Sequence, residues 1–167
     1  NDGVAVERRV FRADALVAVP DSVELLDAAT LPCAAATAWN AVIEQGKAGP
    51  GQRVLIQGTG GVSLFALQFA VAAGAEVYCT VSNEEKAKLV RTLGAAHTVN
   101  YREDEDWGKS IMKLSGGRGI DHVVEIEQRL SHAHHHHVGD PALRTGGKTV
   151  KGIYRDPDLA DDLGCRQ

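Results

Sequence analysis

Residues 54 to 63 read Val-Leu-Ile-Gln-Gly-Thr-Gly-Gly-Val-Ser, and they restrict the fold more than any other stretch of the chain. A short apolar run stops at glycines, and an apolar-periodic segment, Leu64 to Ala73, follows at once. The pattern is strand, tight turn, helix. Glycine is required where a strand turns sharply into a helix and where backbone must approach a ligand with no Cβ in between. A helix that starts just after such a turn offers unpaired N–H groups and a partial positive charge, most favourably to a phosphate. The spacing Gly58-x-Gly60-x-x-Ser63 fits the dinucleotide fingerprint except at its last position, where serine replaces glycine or alanine.

The middle of the chain continues the alternation. Gly74 closes the first helix, and Glu76 to Val81 reads as a second strand. Ser82 and Glu85 have the spacing of a capping box, opening a helix through Leu93 that Gly94 stops. His97 to Asn100 is a brief third strand, Tyr101 to Asp106 a polar loop, and Trp107 to Leu114 an amphipathic helix. Gly116, Gly117 and Gly119 end that helix, and Ile120 to Ile126 supplies a fourth strand. Strands and helices in this rhythm predict an α/β fold, a doubly wound parallel sheet with ligands bound at the carboxyl ends of its strands. The first fifty residues lie outside the rhythm. Asn1 to Val19 reads as short strands broken by Pro20, and Leu31-Pro32 starts an Ala-rich helix through Gln45.

Composition excludes several partners. The net charge is −4 and the basic residues are scattered, which excludes a nucleic-acid surface. No apolar run approaches the roughly 20 residues that span a bilayer, so no membrane partner is expected. Cys33, Cys79 and Cys165 are odd in number and far apart, which predicts free thiols and a cytoplasmic setting.

Two longer stretches carry a resemblance. Ala28-Ala-Thr-Leu-Pro-Cys-Ala-Ala-Ala-Thr-Ala-Trp-Asn-Ala41 followed by residues 49–63 resembles the medium-chain dehydrogenase/reductase superfamily, in its zinc-type alcohol dehydrogenase and quinone oxidoreductase branches. Residues 93–101 and 116–125 resemble that family's later strands. The resemblance implies a Rossmann-type domain binding a nicotinamide dinucleotide, with Gly58, Thr59, Gly60, Gly61 and Val62 forming the pyrophosphate turn. It divides the chain into the end of the catalytic-domain region with its connecting helix (1–45), the Rossmann domain (46–154) and a tail (155–167). In relatives the substrate barrel and zinc ligands would precede Asn1, and beyond Glu125 the likeness breaks at the His132-to-His137 segment. A fragment and a truncated sequence are both consistent with this.

The resemblance also bears on cofactor choice. Rossmann folds specific for NAD place Asp or Glu at the end of the second strand to bind the ribose 2′-OH. The family alignment puts Val81 there, followed by Ser82 and Lys86, with Tyr101 beyond the third strand. Those three resemble the set that NADP-using members gather around the 2′-phosphate, so NADP(H) is expected over NAD(H). Cys33 matches a catalytic zinc position of the family, but its partners are absent and zinc is not expected. It reads more simply as a small buried apolar residue. The histidine run lacks the geometry of a tetrahedral site, and Glu103 to Asp106 lacks calcium-loop spacing and reads as a solvated loop. Trp39 and Trp107 read as core or half-buried packing residues, and Thr37 as either cofactor-facing or packing. No catalytic residue is assigned. The expected function is hydride transfer to or from a carbonyl, alcohol or quinone, with a small-molecule substrate and dimerisation left open. The alternative is a non-catalytic nucleotide-binding or dimerisation module.

Overall fold

β1 (Arg53–Gln57) has no polar face, because Val54, Leu55 and Ile56 are all fully buried. A strand that is apolar on both sides must be covered on both sides, as in parallel sheets packed between helices. The remaining strands are β2 (Glu76–Val81), β3 (His97–Asn100), β4 (His122–Glu125) and β5 (Lys148–Lys151). The computed structural model describes residues 4–125 and the backbone of 148–151. In it the five strands form one sheet in the order β3-β2-β1-β4-β5, with every pairing parallel. Ile56 sits between Cys79 of β2 and Val124 of β4. The chain therefore leaves β1 in one direction for β2 and returns on its other side as β4, and the crevice above β1 is the topological switch point. The doubly wound parallel sheet expected from the sequence is present.

The helices in chain order are α1 (Leu25–Ala28), α2 (Ala36–Trp39), α3 (Gly61–Ala72), α4 (Glu84–Thr92) and α5 (Trp107–Leu114). Wider, π-helical turns, Leu31–Ala35 and Asn40–Gln45, extend α2 at each end. Ala38 and Val42 of this stretch, Ala66, Leu67 and Ala70 of α3, and Ala87 and Val90 of α4 cover one face of the sheet around Ile56, Val77, Cys79 and Val81. On the other face Trp107 and Ile111 of α5 pack on Leu55, Tyr78 and Val99. A buried Val, Leu or Ile contributes about 1.5–3 kcal/mol. Exposed ion pairs such as Arg91–Glu84 and Lys109–Asp106 contribute about 0–1 kcal/mol, so packing holds the domain. Trp107 is core, whereas Trp39 is half exposed, its ring edge-on to Phe69 at 5.4 Å.

Two sequence expectations need correction here. The cap of α4 is Asn83, not Ser82: the Asn83 side chain accepts the Lys86 N–H at 2.9 Å. Ser82 is still buried at the strand end, while Asn83 is exposed, with the extended backbone (φ −166°) that a cap needs. The short strands expected within Asn1 to Val19 are also absent among described residues 4–19, which hold only a one-turn helix at Ala13–Ala15. The backbone around that turn is extended at Arg12 and Leu16, but a strand needs a partner for its ladder and no described residue pairs with it. Residues 4–31 group apart from the unit that begins at Pro32. The His132-to-His137 segment lies outside the described residues.

The join between α4 and β3 explains a glycine. Gly94 has φ +103°, and a Cβ there would stand 2.9 Å from Val71 Cγ1, so both backbone and α3 exclude a side chain.

Polar groups tie the amino-terminal edge of the sheet. Arg53 Nε donates to Glu76 Oε2 at 3.0 Å, and its Nη1 donates to the Ser115 carbonyl at 2.8 Å. Tyr78 OH donates to Glu76 Oε1 at 3.1 Å, and His97 Nε2 lies 3.1 Å from the same oxygen. The Arg53 N–H donates to Asp121 Oδ2 at 2.8 Å. One arginine therefore joins the starts of β1 and β2 to the segments that lead into β4. Burial alone would raise the Glu76 pKa, but hydrogen bonds from Arg53, His97 and Tyr78 outweigh it and hold the carboxyl below its ordinary value. Glu76 therefore stabilises the fold above the ordinary carboxylate range, and the contribution is lost as pH falls through the lowered value. We expect Glu76→Gln to cost about 1 kcal/mol at neutral pH, the figure discounted for a partly exposed carboxylate. Urea unfolding of both proteins should show the gap closing in acid, and a gap independent of pH would contradict the assignment.

Candidate functional site

The end of β1 turns into α3 within three residues, and each glycine of the turn has a different reason to be there. Gly58 has φ +76°, a conformation strained for any side chain. Gly60 is the N-cap of α3 with ordinary extended backbone (φ −74°, ψ 172°), which any residue could adopt. A Cβ on Gly60 would meet no described protein atom within 4 Å. The fold therefore makes no demand for glycine at 60. Gly61 opens α3, and a Cβ there would touch Ala34 Cβ at 3.8 Å, an ordinary contact. Ala34 belongs to the π-helical turn before α2, so that turn lies beside the start of α3.

Among the described residues no side chain caps α3. Its first intrahelical bond runs from Leu64 N–H to the Gly60 carbonyl at 2.9 Å, which leaves the N–H groups of Gly61, Val62 and Ser63 without helical partners. Gly60 and Gly61 are exposed, Thr59 and Val62 half-buried. The result is a bare helix start, open above and glycine-lined, at the carboxyl edge of β1. Its dipole and its free donors suit an anion, and the missing Cβ at 60 lets that anion approach the backbone.

The end of β2 lies beside this turn, and the end of β3 lies one strand further out. Ser82 follows β2 and is buried, and its hydroxyl has no partner among the described residues. Tyr101 N–H donates to the Val81 carbonyl at 3.0 Å, which places Tyr101 against the end of β2. Lys86 is exposed in the first turn of α4, with no ion pair among the described residues. The neighbouring Glu84 is held by Arg91 at 2.8 Å. The Val81 side chain points into the core and is 1% exposed. The position thus holds no acceptor for a ribose hydroxyl, and a carboxylate introduced there would have to be buried.

Cys33 is exposed, which corrects its reading as a small buried residue; the turn Leu31–Ala35 buries Ala35 and leaves Cys33 at the surface. Among the described residues no three His, Cys, Asp or Glu side chains gather as metal ligands. Cys79 is buried, and burial pushes its thiol up to about 12, which makes it inert as a nucleophile. Thr37 is half-buried in α2. None of the described helices is long and apolar enough to cross a membrane. What sequence reasoning missed is a pair of hydroxyls, Ser63 and Thr80, that hold the turn. The serine at the fingerprint's last position was their one visible signal.

The comparisons agree with this geometry. A family model described as "Zinc-binding dehydrogenase" matches residues 61–128. A zinc-type alcohol dehydrogenase-like protein of Schizosaccharomyces pombe is 46% identical over 127 residues, covering 75% of this chain and 37% of that protein. The crystal structure of a putative alcohol dehydrogenase from Sinorhizobium meliloti 1021 superposes with a TM-score of 0.67 at 39% identity, covering 83% of this chain and 40% of its own. That of the JamJ enoyl reductase superposes with a TM-score of 0.68 at 29% identity, covering 88% and 44%. The chain thus spans roughly two fifths of the length of each of these relatives. Parallel sheet, strand order, glycine turn and sequence likeness converge: the chain belongs to the medium-chain dehydrogenase/reductase superfamily and carries its Rossmann-type cofactor-binding region.

Proposed function

We propose that this chain is the dinucleotide-binding part of an NADP(H)-dependent oxidoreductase that moves a hydride to or from a carbonyl, alcohol or quinone of a small molecule. The observation that carries the reading is the uncapped start of α3, where Gly60 leaves open space that the fold does not need. The N–H groups of Gly61, Val62 and Ser63 would hold the pyrophosphate, with Gly58 and Thr59 shaping the approach. When bound, the nicotinamide supplies the hydride chemistry; these residues bind and orient it. In this reading 1–45 is the end of the catalytic-domain region with its connecting helix, 46–154 the Rossmann domain and 155–167 a tail. The similarity to an alcohol dehydrogenase-like protein and to an enoyl reductase supports hydride transfer as the shared chemistry.

Charge supports NADP(H) over NAD(H). A phosphate on the ribose would face Lys86, Ser82 and Tyr101 at the ends of β2 and β3, and Val81 offers a ribose 2′-OH nothing to bond with. Of the two acids that precede Lys86, Glu84 is compensated by Arg91.

Two measurements test the reading. Gly60→Val should leave the fold intact, because the backbone there suits valine and no described atom obstructs it. The same change fills the approach to the turn. Dinucleotide affinity should fall at least tenfold, about 1.4 kcal/mol, in a fluorescence titration. A folded variant that binds as before would remove the pyrophosphate assignment.

The second measurement is cofactor preference. A charge-assisted bond to phosphate contributes about 1.5–3 kcal/mol, so NADPH should bind at least about tenfold more tightly than NADH at low salt. Lys86→Ala should weaken NADPH alone, and added salt should narrow the gap because Lys86 is exposed. Calorimetry returning equal affinities for the two cofactors would leave the Rossmann reading standing and end the NADP(H) assignment.

A further inference from the structure

The peptide between Gln57 and Gly58 is held at both of its polar atoms. Its carbonyl accepts a hydrogen bond from Ser63 Oγ at 3.0 Å. Its N–H lies 3.2 Å from both the carbonyl oxygen and Oγ1 of Thr80. Ser63 and Thr80 are each 4% exposed, so water does not compete for either hydroxyl. Ser63 comes from α3, the element after the turn, and Thr80 from β2, the strand beside it. The two bonds therefore anchor one peptide plane to both of its neighbours.

That plane decides where the turn points. Its rotation fixes ψ of Gln57 and φ of Gly58, the residue at +76°. From Gly58 the chain has two residues before α3 begins, so a tilt of the plane carries through to the N–H groups of Gly61 and Val62. Gly58 is also the least restrained residue type available, and a flexible turn must be ordered at the moment of binding, at a cost in affinity. Glycine or alanine at position 63 would leave the Gln57 carbonyl without this donor.

We propose that Ser63 and Thr80 are positioning residues for dinucleotide binding. They clamp the Gln57–Gly58 peptide and so aim the donors at the start of α3 toward the pyrophosphate. This rests on the reading of that turn as the pyrophosphate site. Neither hydroxyl touches the cofactor; each acts through backbone.

The test is calorimetry on the full chain with three probes: NADPH, ADP-ribose and 2′-AMP. ADP-ribose has the pyrophosphate without nicotinamide or 2′-phosphate, and 2′-AMP lacks the pyrophosphate. Ser63→Ala should weaken NADPH and ADP-ribose about fivefold and leave 2′-AMP within about twofold. Thr80→Val, close in shape, should act in the same direction by a smaller factor, since the Thr80 carbonyl still accepts from Gly58 N–H. Ser63→Thr, which keeps the hydroxyl, should recover most of the affinity. If Ser63→Ala fails to fold by circular dichroism, Thr80→Val carries the same comparison. ADP-ribose binding unchanged in the folded variants overturns the clamp and leaves the nucleotide site standing. Equal losses for ADP-ribose and 2′-AMP would make the two hydroxyls merely structural and overturn it as well. A wild-type chain that binds none of the probes would overturn the clamp and the underlying reading together.

Discussion

Everything in the domain is referred to β1, a strand that is buried on both faces and hydrogen-bonded on both edges. Burial on both faces forces helices onto both sides of the sheet: α3 over Val54 and Ile56 with α4 beside it over β2 and β3, and α5 on the face of Leu55. Pairing on both edges, to β2 and β4, makes β1 the place where the winding reverses. Only at such a reversal do the loops from the carboxyl ends diverge and leave a crevice. The glycine turn follows β1 directly, so the one strand sets the core, the topology and the site. Changes that loosen β1 would be felt in all three.

The two ends of β1 are secured by different chemistry, and the difference matches their tasks. At the amino edge Arg53 uses charged and multiple bonds to Glu76, Asp121 and the Ser115 carbonyl. Those groups are spent on one another. At the carboxyl edge the fixing bonds are neutral hydroxyl–backbone bonds from Ser63 and Thr80, and among the described residues no charged side chain closes the helix start. A salt bridge there would fill the crevice and compete with an incoming anion. Neutral clamps hold the turn in place without consuming its positive potential.

Much of this was legible in the sequence, and the reasons are local. Glu76–Val81, His97–Asn100 and Trp107–Leu114 occupy the spans that periodicity and breakers indicated, because glycines at 74, 94 and 116 end the preceding elements on their own. The illegible parts depend on partners distant in sequence. Extended residues before Pro20 form no strand among those described, since extended backbone becomes a strand only beside another. The cap of α4 moved by one residue because burial at the end of β2 claims Ser82 and leaves Asn83 free to turn onto Lys86 N–H. The exposure of Cys33 depends on which side of the turn Leu31–Ala35 meets its neighbours: Ala35 is buried there and Cys33 is not, a choice that apolar spacing does not reveal.

The site divides in the same way. Gly58 and Gly60 were visible as a spacing, but the spacing could not separate their roles. Gly58 is glycine because of its own backbone, and replacing it would strain the fold with or without a ligand. Gly60 has unstrained backbone and open space, so its missing side chain benefits nothing inside the described protein. A residue whose identity the fold does not need points outward, to whatever approaches the turn. Gly60 therefore speaks for a ligand more strongly than Gly58, although the fingerprint weighs them alike. By the same logic Ser63 is the most informative departure from the fingerprint. It exchanges the close packing of a third glycine for a hydrogen bond that fixes the first.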